Sequence, residues 1–278
     1  MMGKSKKKPT TVLVCGASGG LGTVLARTLQ DKGMTVRGTM RDPSKSTTPD
    51  IDMLTMNVLN EQSVIECLAA AKEAMGCVDV VVNCVNEMVL GSVEETSMEE
   101  LARVYDINVL GLASVARATV PIMRAQGHGL IISMSSLGGL LAVPYLSAYT
   151  SSKFALEAFS EALYHEVKAD NIDVAIMQPV AMHMDRADVG DHLKVAKGAS
   201  PVSTTQAIVR MMAKDTRESK LTPEKVSLAI YDVIKSKNRK LRYPLDRARV
   251  LGKVKRIAPQ SLINKMIDGL VRDAQKAS

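Results

Sequence analysis

The chain has 278 residues, 46% hydrophobic and 23% charged, a composition that excludes a disordered or collagen-like polymer and fits one compact domain or at most two small ones. Its formal charge of +7 is unevenly placed: from Lys214 onward 17 Lys and Arg stand against 7 Asp and Glu, so that stretch carries +10 and the remainder −3. With no Trp, six Tyr and two Phe, the chain offers few platforms for stacking bases, which argues against nucleic acid as a partner despite the charge.

The opening Met-Met-Gly-Lys-Ser-Lys-Lys-Lys is basic with no apolar run behind it, so residues 1–10 read as a basic arm, and neither a secretory signal nor a membrane span is expected. Cys15, Cys67, Cys77 and Cys84 lack Cys-x-x-Cys spacing, which favours reduced thiols in the cytoplasm over disulfides or zinc. Thr11–Cys15 is short, β-branched and apolar, a buried strand stopped by Gly16. Leu21, Val24, Leu25, Thr28 and Leu29 then give Gly20–Asp31 a helical spacing. A strand is expected over Met34–Met40, a weaker one over Ile51–Val58, a helix over Glu61–Met75, and a nearly all-apolar strand over Val78–Cys84. One long helix follows from Ser97 to Gln126, then a strand at Leu130–Ser135, a helix at Ala148–Ala169 and a strand at Asp173–Gln178.

Strands alternating with helices mean parallel strands joined by crossovers, an α/β doubly wound, Rossmann-like sheet with helices on both faces and its ligands at the carboxyl ends of the strands. The expected domain covers residues 11–245. Within it, about 180–220 reads as a helical substrate lid, with helices near Thr204–Lys214 and Glu224–Ser236, followed by a short strand at Lys240–Tyr243. Residues 246–278 form a basic helical extension. There Leu262, Ile263, Met266, Ile267, Leu270 and Val271 are spaced by three and four, a packing face or, alternatively, a helix lying weakly on a membrane surface.

The turn Cys15-Gly16-Ala17-Ser18-Gly19-Gly20-Leu21-Gly22 lies between a strand and an amphipathic helix. Its glycines let backbone approach a pyrophosphate, and the helix start turns free N–H groups toward that anion. Arg41, at the end of the second strand, suits the 2′-phosphate of NADP, whereas neighbouring Asp42 suits the ribose of NAD; NADP is the expected cofactor. Ser136 follows a strand, and Tyr149 and Lys153 lie one helical turn apart on one face, where an ammonium is expected to lower the tyrosine pKa from about 10. The histidines (His128, His165, His183, His192) show no ligand spacing, so no metal is expected.

Together these residues make the sequence resemble the short-chain dehydrogenase/reductase family over roughly Thr11 to Pro179. The family's glycine motif falls on Cys15 to Gly22, its helix asparagine on Asn108, its serine on Ser136, and its Tyr-x-x-x-Lys on Tyr149 and Lys153. The resemblance implies hydride transfer between a nicotinamide and a carbonyl or alcohol. Tyr149 would be the general acid or base, Ser136 would hold the substrate oxygen, Lys153 would hold the nicotinamide ribose and tune Tyr149, and Asn108 would fix a proton-relaying water. It also implies cofactor contacts from Asn57, Val58, Asn83, Pro179 and Met182, and a homodimer or homotetramer built around the helices of Asn108 and Tyr149.

Three segments depart from the family pattern. Asn-Asn-Ala-Gly reads Asn83-Cys84-Val85-Asn86, with Asn86 suited to a left-handed backbone; the usual acid after the third strand is Asn57; and Pro-Gly-x-Val-x-Thr reads Pro179-Val180-Ala181-Met182-His183-Met184. These changes motivate a second reading, a non-catalytic NADP-binding scaffold or sensor. The Arg41 turn, the Phe154–Phe159 helix and the basic tail look most like the branch of hydroxysteroid, retinol and acyl-dihydroxyacetone-phosphate reductases. Met88, Met182, Met184, Met211 and Met212 would give such an enzyme an adaptable apolar pocket.

Overall fold

A computed structural model describes residues 9–183, 193–200 and 202–276. The basic arm up to residue 8, Met184, His192 and the centre of the expected lid lie outside the described residues. Strand β1 (Thr11–Cys15) leads into α1 (Gly20–Asp31), then β2 (Thr35–Met40), β3 (Met53–Thr55), α2 (Glu61–Met75) and β4 (Val80–Asn83). Next come α3 (Met98–Tyr105), α4 (Gly111–Gln126), β5 (Gly129–Met134), α5 (Ser147–Glu166) and β6 (Ile172–Gln178). The remaining elements are α6 (Thr204–Glu218), α7 (Pro223–Lys235), β7 (Arg242–Pro244), α8 (Ala248–Ile257) and α9 (Gln260–Lys276).

The seven strands form one sheet in the order β3-β2-β1-β4-β5-β6-β7, each neighbour pair parallel. Alternation along β1 explains its two-sided burial: Val12 and Val14 join the core under α1 and α7, while Leu13 and Cys15 join the core under α2 and α4. Order reverses between β1 and β4, which opens a crevice beyond the carboxyl ends of those strands.

Three expected elements come out differently. The third strand is only Met53–Thr55, because β2 pairs with it through Gly38, Thr39 and Met40 alone, and Ile51 is instead buried after a turn closed on Thr48. The long helix from Ser97 to Gln126 is interrupted by a π turn at Asp106–Leu110, which carries Asn108. The extension is two helices divided at Pro259, and its expected apolar stripe splits: Ile263 is buried, while Leu262 and Leu270 stay exposed. Ala274 of α9 joins a cluster with Ala207, Ile208 and Val209, so α9 backs α6.

Candidate active site

The glycine turn is built by close backbone contacts. Gly16 has φ +80°, its N–H donates to the Thr39 hydroxyl at 3.2 Å, and the Gly19 N–H returns to the Gly16 carbonyl at 3.2 Å. At Gly22 a Cβ would lie 2.2 Å from the Gly16 oxygen, so the first turn of α1 can pack on the loop only without a side chain. Gly19 caps α1 with no side-chain bond, and the first turn holds no acidic residue, which leaves its N–H groups for an anion.

Above this turn lies a cavity of about 250 Å³ that brings together Gly16, Ser18, Gly19, Arg41, Asn57 and Val58, with Cys84 and Val85 on the far wall. Gly20, Leu21, Gly22, Asn83, Pro179 and Met182 lie outside that lining. Gly20 and Gly22 shape the turn beneath it, and Leu21 and Met182 pack against the core under α1 and α7. Asn83 is buried and accepts the Val85 N–H at 3.2 Å. The two residues closing β2 have different surroundings. Asp42 accepts the Ser44 hydroxyl at 2.6 Å and pairs with Lys45, contacts that hold its carboxyl below the usual range, whereas Arg41 is exposed at the cavity rim with no ion pair among the described residues. The uncapped helix start, the glycine cradle and the free Arg41 fit a phosphorylated dinucleotide.

Ser136 starts a short 3₁₀ turn after β5, and Tyr149 and Lys153 lie on α5, whose buried face meets that turn. The Ser136 hydroxyl lies near enough to the Tyr149 phenol to favour its ionised form, and the Lys153 ammonium lies 5.6 Å from the Tyr149 ring centroid. Asn108 joins them through α5, donating to the Ser152 hydroxyl at 2.9 Å and to the Glu87 carbonyl at 2.8 Å while accepting the Glu87 N–H at 2.8 Å. One Oδ1 lone pair of Asn108 is left for a further donor.

The expected lowering of the Tyr149 pKa is not what this environment produces. Although solvent reaches part of the ring, crowding around the phenol raises its pKa, and the nearby Ser136 hydroxyl only opposes that rise. Lys153 is itself pushed down to about 8 by burial. Cys84, in the same neighbourhood, is pushed up to about 12 by burial and remains a thiol. Asn86 does not take a left-handed backbone; outside glycine, the described residues with positive φ are Tyr145, Asn171 and Asp246.

Met88, Met211 and Met212 pack with the Tyr149 ring against Leu90, Leu146 and Ile208, but Met182 faces the other core. Val195 bridges to Leu90, and Lys194 pairs with Glu87 at 2.5 Å, so residues 193–200 are fastened beside the loop after β4. Among the described residues no His, Cys, Asp and Glu group could hold a metal ion. Sequence reasoning missed Thr39, which pins the glycine turn, and Glu157, which lies one further turn along α5 from Lys153; that four-residue spacing was the available signal.

Residues 10–190 match the family model described as short chain dehydrogenase. Over 172 residues the chain is 36% identical to a 3-ketodihydrosphingosine reductase of Bacteroides thetaiotaomicron, a match covering 62% of this chain and 64% of that protein, just under two thirds of its length. A solved short-chain dehydrogenase of Streptomyces avermitilis superposes with TM-score 0.79 at 26% identity, covering 96% of this chain and 99% of the other. Two more remote structures share the fold. One, from Burkholderia phymatum in complex with NAD, has TM-score 0.77 at 22% identity and covers 92% and 95% of the two chains. The other, from Burkholderia cenocepacia in complex with NADP, has TM-score 0.75 at 17% identity and covers 93% and 98%.

Proposed function

The chain belongs to the short-chain dehydrogenase/reductase family of oxidoreductases, whose structural neighbours hold NAD or NADP, and on that premise we propose that it is an NADP-dependent carbonyl reductase or alcohol dehydrogenase for an apolar substrate. The observation that carries the reading is the meeting of Ser136, Tyr149 and Lys153 at the carboxyl ends of the strands, beside the glycine-lined cavity. The cofactor, when bound, would supply the hydride as NADPH in carbonyl reduction, or accept it as NADP⁺ in alcohol oxidation. Gly16, Ser18 and Gly19 receive its phosphates with the N–H groups of α1, and Arg41 selects the 2′-phosphate, since Asp42 is engaged by Ser44 and Lys45.

Tyr149 then donates its proton to the substrate oxygen. Its raised pKa keeps the phenol protonated at neutral pH, as a general acid for reduction requires. Ser136 hydrogen-bonds the same oxygen where negative charge develops. Lys153 holds the nicotinamide ribose, and Asn108 offers its remaining Oδ1 lone pair to a proton-relaying water. The apolar character of the substrate is supported by the methionines around Tyr149 and by the relative named as a 3-ketodihydrosphingosine reductase.

Further proposals concern assembly and surface. The helices around Asn108 and Tyr149 form a homodimer or homotetramer, and the protein works in the cytoplasm. Exposed Val250 and Ile257 beside Arg249, Lys253 and Arg256 suit weak contact of α8 with an acidic lipid surface.

The test is NADPH oxidation against a panel of apolar ketones by wild type and Tyr149→Phe. Turnover that falls by about 10²–10⁴-fold in the variant, with NADPH affinity kept within a few-fold, is the expected result. Tight NADPH binding with no turnover on any ketone, and function unchanged in Tyr149→Phe, would favour the non-catalytic sensor instead.

A further inference from the structure

Lys153 is 1% exposed, and its ammonium donates to the Met134 carbonyl oxygen at 2.8 Å. A carbonyl dipole alone is poor compensation for a charge taken out of water, so such a group calls for an anion nearby. The groups facing it are the Tyr149 ring on its own helix, the Cys84 thiol beyond β4, the Met134 carbonyl on β5, and the Glu157 carboxylate one turn along α5. Of these, only Glu157 brings a carboxylate, because Cys84 and Tyr149 are both held protonated.

Glu157 is 6% exposed and is fixed from three sides. Its Oε1 accepts the Gln178 amide at 2.9 Å from the end of β6, and its Oε2 accepts the Arg242 Nε at 2.9 Å from β7. Another nitrogen of Arg242 donates to Glu161 at 2.9 Å, one turn further along α5. The loop after β5 closes the third side: a Cβ on Gly139 would lie 3.0 Å from the Glu157 Cγ. An alternating row of charges thus runs from Lys153 through Glu157 and Arg242 to Glu161.

We propose that Glu157, clamped by Gln178 and Arg242, is a positioning residue whose carboxylate keeps buried Lys153 cationic, so that the edge strand β7 governs the charge state of the reactive helix. The proposal rests on the reading of Lys153 as the partner of Tyr149. Each member of the row acts on the next with opposite sign. The Glu157 carboxylate favours the ammonium, and the Arg242 guanidinium, by neutralising part of that carboxylate and adding its own charge, disfavours it. Removing Glu157's charge therefore lowers the pH at which Lys153 loses its proton, and removing Arg242's charge raises it. A role confined to packing has no reason to give opposite signs.

The experiment follows the Lys153 Cε–Hε signals by NMR in full-length protein labelled with ¹³C-lysine, assigned by their loss in Lys153→Met, from pH 6 to pH 11 with NADPH present and absent. Wild type is expected to titrate near 8. E157Q moves the midpoint down by about one unit or more, E157D restores it, and R242Q moves it up. A midpoint unmoved in E157Q, or E157Q and R242Q shifting it in the same direction, overturns the proposal. Circular dichroism melts confirm that each variant is folded; should E157Q fail to fold, R242Q at the sheet edge decides alone, and a downward or absent shift refutes. Because the readout needs no turnover, an inactive wild type would remove the catalytic reading and leave this titration interpretable.

Discussion

Gly22→Ala puts the geometry of the glycine turn to a quantitative test. The added Cβ would lie 2.2 Å from the Gly16 oxygen and 2.9 Å from both the Gly16 carbonyl carbon and the Ala17 Cα, all of them backbone atoms that cannot rotate away. Relief requires the loop and the first turn of α1 to separate by about 1 Å, since carbon contacts are comfortable near 3.5–4.0 Å. Overpacking of this kind costs about 1–3 kcal/mol, offset by roughly 1 kcal/mol of better helix propensity for alanine. The net loss of up to about 2 kcal/mol lowers Tm by up to roughly 8 °C for a chain of this size. The same separation moves the N–H groups away from the phosphates, and NADPH affinity is expected to fall about tenfold or more, equivalent to roughly 1.4 kcal/mol. Circular dichroism melts and nicotinamide emission read both quantities. Gly269→Ala is the control, because its Cβ would meet nothing within 4 Å in α9 and alanine there is expected to stabilise by about 0.5–1 kcal/mol without touching cofactor binding. A Gly22→Ala protein with wild-type Tm and wild-type NADPH affinity would refute the argument.

Arg41→Ala is expected to weaken NADPH by about 10–100-fold and NADH by less than threefold, the loss of one charge-assisted contact; equal losses for the two cofactors in parallel titrations would mean Arg41 does not read the 2′-phosphate. At the opposite end of the sheet, His128 bonds Asp79 at 2.9 Å, which raises the histidine pKa, while burial pushes Asp79 up but hydrogen bonds from Thr11, His128 and Cys77 outweigh it and leave it lowered. The histidine's contribution is thus complete below its unfolded pKa of about 6.5 and disappears as pH rises through its folded value. In urea titrations the stability gap between wild type and His128→Gln is expected to be larger at pH 5.5 than at pH 9, and a pH-independent gap would contradict this.

What was legible in the chain followed its local signals. Helices α1 and α2 begin and end where their apolar spacing and flanking residues place them, and Gly76 ends α2 in a left-handed conformation, as an uncrowded glycine cap allows. Ser136, Tyr149 and Lys153 were legible because two share a helical face and the third closes the preceding strand. Long-range contacts were not legible. The π turn that inserts Asn108 among Glu87 and Ser152 answers to partners 21 and 44 residues away, and nothing in the local sequence interrupts the helix before Gly111. The pKa of Tyr149 went the other way from expectation because spacing reveals a neighbouring ammonium but not how much protein surrounds both groups.

Strand β7 pairs only with β6, and it does so after α6 and α7 have intervened. During synthesis, the first six strands can therefore pair before Arg242 leaves the ribosome, and the guanidinium that clamps Glu157 joins them only afterwards. A nascent chain stopped before Arg242 has its glycine turn, Ser136, Tyr149 and Lys153, yet leaves the Glu157 carboxylate without its guanidinium partner. By the alternation of charge along α5, such a chain is expected to hold the Lys153 proton to a higher pH than one in which Arg242 has reached Glu157.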